Sequence, residues 1–217
     1  MTRRSTSLLV CLSSIVVLLF ATAYSAPAPS GKIIVSPAQA REDQIRFGRQ
    51  LVLTHDCGGC HGMAGANPLA PGYLDGVRDT AQQFHIGPFI TRPKNLTPDV
   101  ATGTGSFTER QLFNALRYGL RPEETPDVQI TSMVPGQGNF PLHPHYLAPP
   151  MPWTAWRYMS DAELMAIAAY LKNGLKPVRN KVADSDGPPD FWASEYTVEK
   201  IGPYPVAPFP TVNEKAP

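Results

Sequence analysis

In "MSDAELMAIAAYLKNG" the apolar residues Leu164, Ile167, Ala168 and Leu171 recur at helical intervals, so one face of a helix is apolar and has to be buried. Its limits are written beside it. Ser160 suits the N-cap, Glu163 can reach back as its capping-box partner, Met159 can pack on Leu164 as a hydrophobic staple, and Gly174 stops the helix. "SFTERQLFNALRYG" carries the same signals, with Thr108 as cap, Gln111 as its partner and Phe107 facing Leu112. The pattern predicts a helix from Glu109 to Tyr118 that ends at Gly119. A third helix is predicted in "AREDQIRFGRQLVLTHDC", where acids come early and Ile45, Gly48 and Val52 fall near one stripe. Gly48 in mid-helix costs about 1 kcal/mol against alanine, which points to a close helix crossing at that position. No segment alternates with the period of two expected of a strand, and no internal repeat is visible.

Proline divides the chain. Of 24 prolines, about twice the average share, most fall in Arg121 to Pro152 and Gly174 to Pro217. The expected organisation is mostly α with long connections. The connection over 121–150 is longer than compact domains usually carry without structure of their own, which marks it as wrapping or functional. The tail 178–217 places aromatics among its prolines, in "DGPPDFWASEY" and "GPYPVAPFPT", and is expected to wrap the domain or a partner rather than build a second core.

The first residues read as an export signal: Arg3 and Arg4, the apolar run "SLLVCLSSIVVLLFATA", then small residues before "PAPS". The run is shorter than the roughly 20 residues that span a bilayer comfortably, so a cleaved signal peptide over 1–25 is expected rather than a retained anchor. Its loss removes Cys11 and leaves Cys57 and Cys60 as the cysteines of the mature chain. It also removes two arginines and no acid, taking 19 basic against 18 acidic side chains to 17 against 18. That balance excludes a nucleic-acid partner, which needs a concentrated basic face.

The remaining cysteines stand in "DCGGCHG". A disulfide between them suits export, but redox-active CxxC sites belong to a βα context that this chain lacks. Zinc wants four ligands and would have to recruit the scattered His55, His85, His143 or His145. Covalent haem attachment needs what is present: two thiols for the two vinyl groups and an adjacent histidine for the iron. A chance CxxCH is expected on the order of once in a thousand such chains. The reading is therefore one haem c, held by Cys57 and Cys60 with His61 as proximal ligand, and with Gly58 and Gly59 letting the backbone approach the ring.

An electron carrier keeps both axial positions of the iron filled. Met63 is too near His61 in sequence to reach the opposite face, Met159 is the expected staple, and Met165 lies within the last helix. Met151, in "APPMPW", is presented by a chain that its flanking prolines make stiff, and a thioether suits haem iron. Met151 is the preferred distal ligand, with Met133, His143 and His145 as rivals. Asn95, Thr97, Trp153 and Arg157 are candidates to bind haem propionates.

The segments "DCGGCHG", "NLTPDVATGTGSFTERQLFNALRYGLRP" and "MPWTAWRYMSDAELMAIAAYLKN" resemble class I c-type cytochromes, in particular the haem domains of bacterial alcohol and gluconate dehydrogenase cytochrome subunits. The similarity runs from about Arg41 to Pro177. It implies an all-α cytochrome c fold: three to five helices around one haem, with Gly48 against Ile167 and Tyr170 where the first and last helices cross. It also implies Cys57 and Cys60 as thioether positions and His61 and Met151 as axial ligands. The expected organisation is a signal peptide over 1–25, a linker over 26–40, a cytochrome domain over 41–177 with the insertion 121–150, and a proline-rich tail over 178–217. The dehydrogenase subunits carry three such domains in tandem and pass quickly from the "RYGLRP" helix end to their methionine, whereas here there is one domain and about thirty residues intervene.

The expected function is periplasmic electron transfer, not catalysis: a monohaem carrier moving single electrons between redox proteins, such as a membrane-bound or periplasmic dehydrogenase and a terminal oxidase. The alternatives are a haem subunit fixed in a larger dehydrogenase and a haem enzyme or gas sensor with a labile distal site.

Overall fold

The computed structural model of the protein describes residues 36–62, 67–78 and 82–216. The expected signal peptide, the linker up to residue 35 and Met63 lie outside the described residues.

Helix α1 (Pro37–Thr54) begins about one turn before the expected cytochrome boundary at residue 41, because Ser36 accepts a hydrogen bond from Gln39 N and Pro37 sits where a missing N–H costs nothing. The short α2 (Cys57–His61) follows after a left-handed residue, Asp56. Helix α3 (Glu109–Tyr118) has both arms of the Thr108/Gln111 capping box and ends at Gly119 with φ 70°. After the single turn α4 (Trp153–Trp156), α5 (Asp161–Asn173) repeats the device with Ser160 and Glu163. Both boxes form because they use only residues three apart.

The first and last of the long helices cross where the sequence points. Gly48 is buried, and a Cβ there would overlap the carbonyl of Ala166 and lie 2.9 Å from Tyr170 Cβ. Leu164, Ile167, Ala168 and Leu171 are all buried, as expected, and so are Ala166, Ala169 and Tyr170. α5 is covered nearly all round, which a helix of small apolar residues tolerates.

The all-α expectation needs one correction. Strands β1 (Phe84–Ile86) and β2 (Phe89–Thr91) form an antiparallel hairpin around Gly87, with His85 opposite Ile90. Strands of three residues are too short to show alternation. Their edge is completed from far along the chain, by mutual backbone hydrogen bonds of 2.8 Å between Ile90 and Asp186. The result is mostly helical with one small sheet, an arrangement compatible with the cytochrome c fold.

The insertion is a closed loop. Leu147 N donates to Gly119 O at 2.6 Å and Arg121 N to His145 O at 3.0 Å, so its two ends pair with each other. Between them Ile130 and Phe140 are buried, and the Tyr118 hydroxyl at the end of α3 donates to Ile130 O at 2.9 Å.

The tail wraps the domain. Trp192 is 2% exposed and packs on Phe89, Tyr196 packs edge-on against Trp153 and Tyr146, and Arg121 pairs with Asp190 at 2.8 Å. A last short helix, α6 (Val198–Ile201), is held by the Tyr158 hydroxyl donating to Ile201 O at 3.0 Å. Among the described residues no helix is long and apolar enough to cross a membrane.

Candidate functional site

α1 delivers the chain to the CGGCH turn. The His55 ring packs edge-on against Trp156 of α4 at 5.7 Å, which joins the end of α1 to the segment following Met151. Asp56 turns left-handed, and its carboxylate lies where a Cβ on Gly59 would have to go. Glycine at 59 thus has a local reason within the turn itself.

Both cysteines are free thiols, Cys60 exposed and Cys57 partly buried against the core. Burial above all pushes the Cys57 thiol up to about 12, so it stays protonated and neutral. Among the described residues no three His, Cys, Asp or Glu side chains gather around a point where a metal ion could sit. The two thiols precede a single adjacent histidine. This donor set suits a group that alkylates both sulfurs, since thioethers have no charge to bury.

His61 is partly buried, and its Nδ1 lies 2.8 Å from the carbonyl oxygen of Lys94. Burial lowers its pKa, opposed in part by that hydrogen bond. A neutral ring donating from Nδ1 keeps its lone pair on Nε2, the tautomer that a metal requires. The acceptor is a backbone atom of residue 94, so side-chain types in the sequence give no sign of it.

Met151 is partly buried on the same core as Cys57. Its amide donates to Ala148 O and its carbonyl accepts from Trp153 N, both at 2.9 Å, so the backbone on either side is pinned. Two of the three rivals have other partners. Met133 Sδ lies 2.9 Å from Arg157 Nη2, His145 pairs with Glu124, and His143 is exposed. His85 is exposed on β1.

The four propionate candidates separate into two sets. Asn95 donates to Val178 O at 2.8 Å and Thr102 Oγ1 at 3.2 Å, while its Oδ1 accepts from the amide and hydroxyl of Thr97. Those groups are consumed inside the fold. Trp153 and Arg157 are fully buried, yet among the described residues Trp153 Nε1 and Arg157 Nε and Nη1 have no hydrogen-bond partner. Arg117, which shares the Tyr204 ring with Arg157, is paired with Asp161. A buried guanidinium with idle donors fits an acidic group of a bound cofactor.

No family model matches the chain. The chain is similar to the gluconate 2-dehydrogenase cytochrome c subunit of Pantoea cypripedii, 28% identical over 150 residues that cover 69% of this chain and 27% of the relative. The fructose dehydrogenase cytochrome subunit of Gluconobacter japonicus is 28% identical over 145 residues, 66% of this chain and 24% of its own. The cytochrome c subunit of the quinone alcohol dehydrogenase of Gluconobacter oxydans is 26% identical over 151 residues, 69% of this chain and 26% of its own. The chain spans about a quarter of the length of these curated relatives. The resemblance read from the sequence is borne out: the chain is similar to the c-type cytochrome subunits of gluconate and alcohol dehydrogenases, and of fructose dehydrogenase as well.

Proposed function

We propose that the protein is an exported, periplasmic monohaem cytochrome c that transfers single electrons between redox proteins and is not itself catalytic. The observation that carries the reading is His61: inside a CxxCH turn with two free thiols, its Nδ1 faces a backbone carbonyl and its Nε2 is left for iron. Cys57 and Cys60 would hold the haem as thioethers, His61 and Met151 would be its axial ligands, and Trp153 and Arg157 would meet its propionates. When bound, the haem supplies a one-electron ferrous/ferric couple, whose potential axial methionine and burial raise.

The chain's own residues prepare for that group. The Lys94 carbonyl fixes the ring of His61 and its tautomer. The tight turns on either side of Met151 hold its thioether in place without the rotamer search that a flexible loop would impose. Arg157, buried with no carboxylate paired to it among the described residues, gains stability when an anion reaches its idle nitrogens.

The relatives favour a second reading, in which the protein is a haem subunit held within a dehydrogenase complex rather than a mobile carrier. A dehydrogenase would then donate the electrons, and a terminal oxidase would receive them in either case. Size-exclusion chromatography of native periplasmic and membrane extracts separates the readings, since only the fixed subunit elutes with a flavin- or quinone-bearing partner.

The test of the main reading is mass spectrometry with absorption spectroscopy of the exported chain. One covalently held haem is expected on a chain lacking its first two dozen or so residues, together with the sulfur-to-iron band of the ferric form. Met151→Ala is expected to abolish that band and open the ferrous form to carbon monoxide. A chain without covalent haem overturns the reading, and a band that survives the substitution overturns the role of Met151.

A further inference from the structure

The carbonyl that accepts from His61 belongs to a peptide gripped on several sides. A Cβ on Gly76 would stand 2.8 Å from Asn95 N and 3.0 Å from Lys94 C, so the Lys94–Asn95 peptide lies flat against glycine backbone. The same position would be 2.6 Å from Val182 Cγ2, a buried residue of the segment that follows α5. That segment supplies the rest of the grip. Asn95 Nδ2 donates to Val178 O at 2.8 Å, Lys94 Nζ to Ala183 O at 2.9 Å, and Val178 N to Thr97 Oγ1 at 3.1 Å. Asn180 Nδ2 donates to Asp75 O at 2.7 Å and Val77 O at 3.3 Å, fixing the strip of backbone that contains Gly76. The strip closes the circle, since Gly76 N donates to His61 O at 2.8 Å, Val77 N to Pro93 O at 3.3 Å, and Leu96 N to Leu74 O at 2.8 Å.

We infer that residues 178–183 form a clamp which, through Asn95 and Asn180, sets the position of the Lys94 carbonyl and hence the hydrogen bond to the His61 ring. Asn95 and Asn180 are positioning residues, acting on the iron through His61 rather than touching it. The inference rests on the reading of His61 as proximal ligand and adds what tunes it. A firm acceptor on Nδ1 makes the ring a stronger donor from Nε2, which favours ferric iron and holds the potential down. A loosened clamp weakens that donation, and the potential rises. Val178 to Ala183 lie in the tail, beyond the region of resemblance and well away in sequence from the residues that carry the haem chemistry. The potential is therefore set in part by a stretch that contains no ligand.

The test uses haem-loaded, full-length Asn95→Ala and Asn180→Ala, both neutral changes that leave the local charge as it was. Redox titration is expected to give a raised potential in each. Proton NMR is expected to show the His61 ring N–H exchanging roughly five- to tenfold faster, as for the loss of one hydrogen bond. Asn180 is the milder site and decides the matter if Asn95→Ala does not fold. An Asn180→Ala protein that melts earlier but keeps the unaltered potential and exchange rate overturns the clamp, because a merely structural role moves only the melting. Absence of covalent haem from the unaltered chain overturns instead the reading beneath it.

Discussion

His61 and His145 are the same residue type, and their partners separate them. His145 faces the carboxylate of Glu124, whereas His61 faces a carbonyl and is held neutral by burial. Partners likewise separate the methionines, since Met133 already lies against Arg157 and Met151 does not. Arg157 gives a prediction whose sign discriminates. If its idle nitrogens meet a haem propionate, Arg157→Leu lowers the stability of the haem-loaded protein by about 1.5–3 kcal/mol in urea unfolding. If they meet nothing, removing an uncompensated buried charge leaves stability unchanged or raises it. At this scale the sequence makes a candidate site legible where the side chains are adjacent, as in Cys57, Cys60 and His61. It was silent on the Lys94 carbonyl, because every residue has one. Nor does it show that the Asn95 amide is spent on Val178, more than eighty residues away.

Helices α1 and α5 depend on one missing methyl group. Alanine at Gly48 would gain about 1 kcal/mol of helix propensity but would press on the Ala166 carbonyl, a helix backbone atom that cannot swing aside. Gly48→Ala is therefore expected to destabilise by a net 1–3 kcal/mol, measured as an earlier urea midpoint with an unchanged slope. The crossing was legible because a glycine within an otherwise regular apolar stripe gives up helix propensity, and close backbone approach offsets that loss. Both capping boxes were legible because each closes within four residues. The hairpin was not: three-residue strands carry no period, and Asp186, which pairs with Ile90, lies almost a hundred residues on. The full burial of α5 was likewise hidden, since α1 and α3 both pack on it while its own apolar pattern marks a single face.

Taken together, the described residues form a helical domain bound round by its own irregular segments. Trp192 anchors the tail against Phe89, so Trp192→Ala is expected to cost about 3–5 kcal/mol and to speed proteolytic nicking after Asp190. A tail that served only a partner would show neither effect in the isolated protein. The prolines of the tail and insertion mark segments with few regular elements, but which aromatic seats on which surface is a matter of tertiary fit that no local pattern encodes. The insertion has one more consequence. Because Leu120 and Tyr146 bridge its two ends, the segment is a parenthesis in the chain: whatever its length, the fold resumes where it broke off. Residues could have been added to its middle one at a time without shifting Met151 relative to α3. The spacing between helix and methionine along the sequence can thus drift freely in such proteins while the spacing in space stays fixed.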